Sequence, residues 1–249
     1  MQLLRSRQNP VVAHMRKLGT DRAYRTACGE FLCDGEKLLR EALKWHAEIT
    51  AILWAEEPQS PPDCAAQYLA EKALLDYVTP LKSAASVVFS VRMKPWDTAK
   101  PGRTLILETI QDPGNLGTIL RTANAMEIDT VILTGACADV YNPKTIRAGM
   151  GAVFRQRWLS IERGVLQQYL TENGLRLIGA ALSECSADIR MTDLRGAAVA
   201  IGSEGQGLSD ELLAMCAEEL IIPMNPQCES LNAAVAAAIV MWEMKRERG

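Results

Sequence analysis

Asn115-Leu116-Gly117-Thr118-Ile119-Leu120-Arg121, Ile201-Gly202-Ser203-Glu204-Gly205-Gln206-Gly207 and Ile222-Pro223-Met224, the last leading into Glu229-Ser230-Leu231-Asn232, decide the fold of this chain. Each begins where an apolar run gives way to a polar turn. In an open α/β sheet, turns of this kind gather at the carboxyl edge of the strands, where ligands bind. Working outward, residues 104–108, 130–133, 176–181, 197–201 and 220–222 read as strands. Residues 118–126, 165–173, 210–217 and 231–246 carry helical spacing. Such alternation predicts a mainly parallel sheet with helices on both faces.

The part before residue 96 is a smaller α/β region. Strands are expected at 31–33, 49–54 and 86–91, and a helix at 36–45, where Leu38, Leu39, Ala42 and Trp45 form an apolar stripe. Residues 96–103, with two prolines nearby and Gly102, read as a linker. The expected division is therefore 1–95, a linker at 96–103, and 104–249. The last helix carries Leu231, Val235, Ala238 and Trp242 on one stripe, which suits core packing or a helix-on-helix contact with a second copy.

With 48% hydrophobic and 23% charged residues in 249, the composition is that of a globular protein. The longest apolar run, 233–242, is half of what a membrane span needs. The first seven residues lack the apolar core and cleavage site of a secretion signal. Seven cysteines without a C-x-x-C pair, and only two histidines, give no zinc pattern, so no metal is expected. Scattered reduced thiols fit the cytoplasm. Although the net charge is −3, the cations are clustered. Arg5, Arg7, Arg16, Lys17, Arg22 and Arg25 face the single acid Asp21, while Lys144, Arg147, Arg155 and Arg157 have no acid among them. Local clusters of this kind suit a polyanion path as well as a solvated surface.

The three turns differ in chemistry. Residues 112–117 read as a tight turn before a helix starting near Thr118, a place where backbone N–H groups and the helix dipole favour an anion. Arg121 would follow one helical turn later. The glycines at 202, 205 and 207 match neither the dinucleotide fingerprint nor the P-loop, but they let backbone approach a flat ligand closely. Glu204 could hold a ribose, orient a cation, or simply sit near the next helix start. Ser230 reads as the N-cap of the last helix, with Leu231 as an apolar wall and Asn232 as a hydrogen-bonding group.

Together these residues resemble the three motifs of the SpoU/TrmH family of RNA 2'-O-ribose methyltransferases, a trefoil-knotted class dependent on S-adenosylmethionine. Motif one is carried by Asn115, Gly117, Arg121, Thr122 and Ala123. Motif two is carried by Ile201, Gly202, Glu204, Gly205, Gly207 and Leu208. Motif three is carried by Ile222-Pro223-Met224 and Glu229-Ser230-Leu231-Asn232. The stretch 142–152 is similar to a further family loop, with Gly149 where a serine is usual. Residues 31–37 are similar, more loosely, to the accessory substrate-binding domain, with Asp34 for a frequent Glu.

The resemblance implies a deep C-terminal knot, which strand and helix patterns would never suggest because connections rarely thread loops. It implies that Ala181, Leu182, Gly202, Ile222 and Leu231 contact the adenosyl cofactor, that Arg121, Asn115, Glu204, Ser230 and Asn232 form the catalytic set, and that the enzyme is a homodimer with active sites at the interface. A guanidinium is hard to deprotonate, so Arg121 is expected to clamp phosphate and the developing oxyanion. Asn115 would position Arg121 or the ribose. Structured RNA is the expected partner, ribosomal (23S) ahead of transfer RNA. A non-catalytic RNA-binding protein would have no reason to keep all five polar residues. An oxidoreductase would need the G-x-G-x-x-G pattern that is missing here.

Overall fold

The computed structural model describes all residues except 83, 84, 97, 99, 101, 184, 204, 226 and 247–249. The chain divides into two compact units, Met1–Lys94 with Asp139–Arg155, and Pro95–Ala138 with Gln156–Gly249.

In the first unit the order is β1 (Gln2–Leu4), α1 (Pro10–Thr20), α2 (Arg22–Cys28), β2 (Glu30–Asp34), α3 (Glu36–Lys44), β3 (Ile49–Trp54), β4 (Ala66–Ala70), α4 (Lys72–Val78) and β5 (Val87–Arg92). The basic arm is helical because Val12, Met15 and Leu18 recur at helical spacing and bury against Leu32, Leu53, Leu75 and Val88. Asn9 caps α1 through the N–H of Val11, with Pro10 at the first helical position. The sheet runs β1-β4-β3-β5-β2, parallel at β1/β4 and β3/β4 and antiparallel elsewhere.

The second unit opens with β6 (Thr104–Glu108), α5 (Pro113–Ala125) and β7 (Thr130–Thr134). The chain then leaves it for α6 (Pro143–Gly149) and a 3₁₀ turn, Ala152–Phe154, both within the first unit. It returns with β8 (Trp158–Ser160), α7 (Arg163–Glu172), β9 (Arg176–Ala180), β10 (Ala187–Asp188), β11 (Ala197–Ile201), α8 (Asp210–Met215), β12 (Glu218–Ile221) and α9 (Ala233–Lys245). Among the described residues these strands form a seven-stranded sheet, β10-β12-β9-β11-β6-β7-β8, parallel throughout. On one face Ile106, Ile132, Ala198 and Ala200 pack against Leu166 and Leu170 of α7 and Leu212 of α8. On the other, α9 packs on β11 and on α5.

The excursion 139–155 departs from the contiguous division expected from the sequence. Its apolar side, Tyr141, Ile146 and Ala152, is buried, with the Tyr141 ring 4.7 Å from that of Phe31 on β2. The Arg25 guanidinium is buried and pairs with Asp139 at 2.7 Å. Removing the carboxylate leaves a buried charge unmatched, a change that costs about 3 kcal/mol. Asp139→Ala should lower the unfolding free energy by about that amount in urea titration, and an unchanged midpoint would contradict the pairing.

Candidate active site

Two expected helix starts move, for local reasons. Asp112, whose side chain accepts from the Asn115 N–H at 2.7 Å, caps α5, and Pro113 takes the first helical position. Residues 113–117 are therefore helix and not the tight turn expected before Thr118, and Asn115, Gly117 and Arg121 all lie on α5. Likewise, Asn232 and not Ser230 caps α9, accepting from Ala234 and Val235 at 2.9 and 3.3 Å. Its Nδ2 donates to Asn115 Oδ1 at 3.1 Å. The first and third sequence motifs are thus tied by one hydrogen bond between helix starts.

The carboxyl ends of β9, β11 and β12 open on a cavity of about 630 Å³. Ala181, Leu182, Gly202, Ile222 and Leu231 all line it, as does Ser230. The Ala181 N–H donates to Leu220 O at 3.0 Å, which fixes the start of the β9 loop against β12. After β11 the turn folds back on itself, with Ser203 and Gly207 exchanging backbone hydrogen bonds at 3.1 and 2.9 Å. A Cβ at 202 would fall inside the Gly207 carbonyl group, so only glycine fits there. At 207 the backbone is left-handed, φ 66°. The glycines were expected to admit a ligand, but Gly202 is required first by the loop's own closure.

Sequence reasoning missed Ser183 and Glu219, which line the same cavity and are joined by a 2.6 Å hydrogen bond. Their only sequence signal is position, just past or within strands of the same edge. Arg121 is exposed on α5 and lies outside the lining, while Glu204 lies outside the described residues. A cavity of this size belongs to the range that encloses small organic ligands, 300–1,000 Å³ as a rough span. Its lining mixes apolar walls (Leu182, Ile222, Leu231) with backbone groups of the glycine turn, a donor set that fits a flat nucleoside joined to an aliphatic chain.

Residues 102–242 match the model of the SpoU rRNA Methylase family. The chain is 32% identical to the 23S rRNA (guanosine(2553)-2'-O)-methyltransferase of Bacillus subtilis, over 98% of this chain and 100% of that one. Among solved structures, it is similar to the AdoMet-bound rRNA methyltransferase of Sinorhizobium meliloti, with a TM-score of 0.88, 26% identity, and 98% and 97% of the two chains covered. A structure of an RNA 2'-O ribose methyltransferase superposes with a TM-score of 0.84 and 26% identity, covering 98% of each chain. The chain belongs to the SpoU rRNA methylase family and is an S-adenosylmethionine-dependent RNA methyltransferase.

Proposed function

We propose that this cavity holds S-adenosylmethionine and that the chain methylates a ribose 2'-hydroxyl of 23S ribosomal RNA. The observation that carries the proposal is convergence: Ala181 and Leu182 after β9, Gly202 of motif two, and Ile222 and Leu231 of motif three line one cavity. The Asn232–Asn115 bond brings the remaining motif to the residue beside Leu231. The bound cofactor would supply an electrophilic methyl group on its sulfonium. What the chain must add is orientation of a poor nucleophile and stabilisation of charge growing on its oxygen.

In this reading Ser230, on the lining, hydrogen-bonds the ribose, and Asn115 and Asn232 hold the two helix starts that frame it. Glu204 orients the cationic side. Arg121 has no ion-pair partner among the described residues. It stands six residues beyond Asn115, about 9 Å along the helix and about 120° around it, and is not among the residues that line the cavity. A second copy of the chain resolves this. Val235 and Trp242 of α9 are exposed large apolar residues seven apart, on one face. A homodimer that covers this face brings Arg121 of one copy to the RNA held at the other. The turns at 202–208 and 222–231, lining one cavity, are the segments in which the family's trefoil knot would lie.

The coverage shared with the Bacillus subtilis protein supports a ribosomal target. The first unit supports an RNA path: Arg7 and Arg16 lie over the Tyr77 ring at 4.5 and 5.2 Å, and Lys17 lies over Tyr24 at 5.2 Å. Cations spread on aromatic faces suit phosphate contact with base stacking alongside. All seven cysteines are unpaired, which supports a cytoplasmic location.

Two outcomes follow. Arg121→Ala should lose at least about 100-fold in methyl transfer to ribosomal RNA, the cost of one oxyanion-type contact. S-adenosylmethionine affinity by calorimetry should stay within twofold, and full activity in the variant would remove Arg121 from the mechanism. Trp242→Glu should halve the mass measured by light scattering, and a wild-type monomer of full activity would defeat the dimer.

A further inference from the structure

Behind the glycine turn, β6 ends in a carboxylate that none of the three motifs contains. Glu108 is 2% exposed. Its Oε2 accepts from the Ser209 N–H at 2.7 Å and its Oε1 from the Ser209 hydroxyl at 2.7 Å. Arg163 Nη2 lies 2.9 Å from Oε1, and Arg163 Nη1 reaches Glu211 at 3.4 Å. Both carboxylate oxygens are therefore engaged, and the buried charge has a cation beside it.

Ser209 is the hinge post of the cavity wall. It caps α8, its hydroxyl oxygen accepting from the Leu212 N–H at 3.2 Å. Its carbonyl accepts from the Leu213 N–H at 2.9 Å. Leu208 on one side of it and Leu213 on the other both line the cavity. The opposite end of the turn leaves β11 at Ile201, which pairs in register with Leu107, the residue before Glu108. Both ends of the turn are thus held to β6, one through the Ile201–Leu107 pairing and the other through the Glu108 side chain on Ser209.

We propose that Glu108 is a positioning residue for cofactor binding. It touches neither cofactor nor ribose. It acts through Ser209 by fixing the span of the turn and the placement of Leu208 and Leu213. The inference rests on the reading of the cavity as the S-adenosylmethionine site. Chemistry explains why a carboxylate is needed: three donors converge on it, from Ser209 N, Ser209 Oγ and Arg163 Nη2. Glutamine offers one oxygen and sets an NH₂ group against donors, so Glu108→Gln keeps the volume and releases the post.

The test is calorimetric titration of the full-length protein with S-adenosylmethionine, together with steady-state methyl transfer to ribosomal RNA. Glu108→Gln should weaken the cofactor Kd about tenfold, the size of one lost hydrogen bond to a charged group. The RNA KM, and kcat at saturating cofactor, should stay within about twofold, since the reacting groups are untouched. Ser209→Ala keeps the N–H and loses the hydroxyl, and should weaken Kd about threefold, with the double variant falling short of the product of the two. A residue that only supports folding would instead lower the active fraction, reducing kcat and leaving the cofactor Kd of the folded protein unmoved, and that result overturns the assignment. Should Glu108→Gln fail to fold, Ser209→Ala decides alone, and an unchanged Kd there overturns it. Absence of cofactor binding by the wild-type chain would take down the reading of the cavity itself, a result distinct from unchanged affinity in the variants.

Discussion

Strand direction governs this molecule's chemistry. In the second unit every ladder of the sheet is parallel, so each strand ends on the same edge, and the turns after β9, β11 and β12 have nowhere to go but toward one another. Residues 181–183, 202, 203, 205–208, 222, 224 and 229–231 are remote in sequence yet share one lining. A parallel sheet also needs cover on both faces; α7 and α8 give it on one face and α9, packed on α5, on the other, and α5 and α9 start at this edge. The bond from Asn232 to Asn115 crosses 117 positions of sequence and joins those two starts. Site and core are consequences of the same arrangement.

Much of this was legible in the sequence, and the reasons differ by element. β6 and β11 fall on 104–108 and 197–201 as expected, because every residue in them is buried and a doubly covered strand is mainly apolar, as 105–107 and 197–201 are. Helix starts were harder. Asp112 and Asn115 compete for one cap, as do Ser230 and Asn232, and all four side chains can accept from backbone. Proline at 113 tips the first choice, while the second depends on a tertiary bond that sequence does not display. β4 carries half-buried Gln67, Tyr68 and Leu69 and has no clean alternation to betray it. The excursion 139–155 looks continuous with its neighbours, and only the packing of Tyr141 and the Arg25–Asp139 pair shows which unit it belongs to. Glu108 belongs to none of the three motifs, and only the packing shows it buried against Ser209.

In the proposed reading, the overall negative charge and the RNA substrate are compatible because recognition is local. Cations of α1 and its approach, Arg7, Arg16 and Lys17, are held over tyrosine rings, and carboxylates elsewhere are engaged in ion pairs: Asp139 with Arg25, Glu41 with Arg155, and Glu108 with Arg163. Acidic residues thus organise the scaffold and leave a surface on the first unit where basic groups stand out. Screening over about 10 Å at moderate salt keeps distant acids from cancelling them.

In the proposed reading, one cavity at the carboxyl edge takes the methyl donor. Hydrogen exchange of the wild-type chain, with and without saturating S-adenosylhomocysteine, tests it most directly. Slowed exchange is expected in 181–183, 201–208 and 220–231, with 1–94 unaltered. Protection confined to segments outside that lining would contradict it.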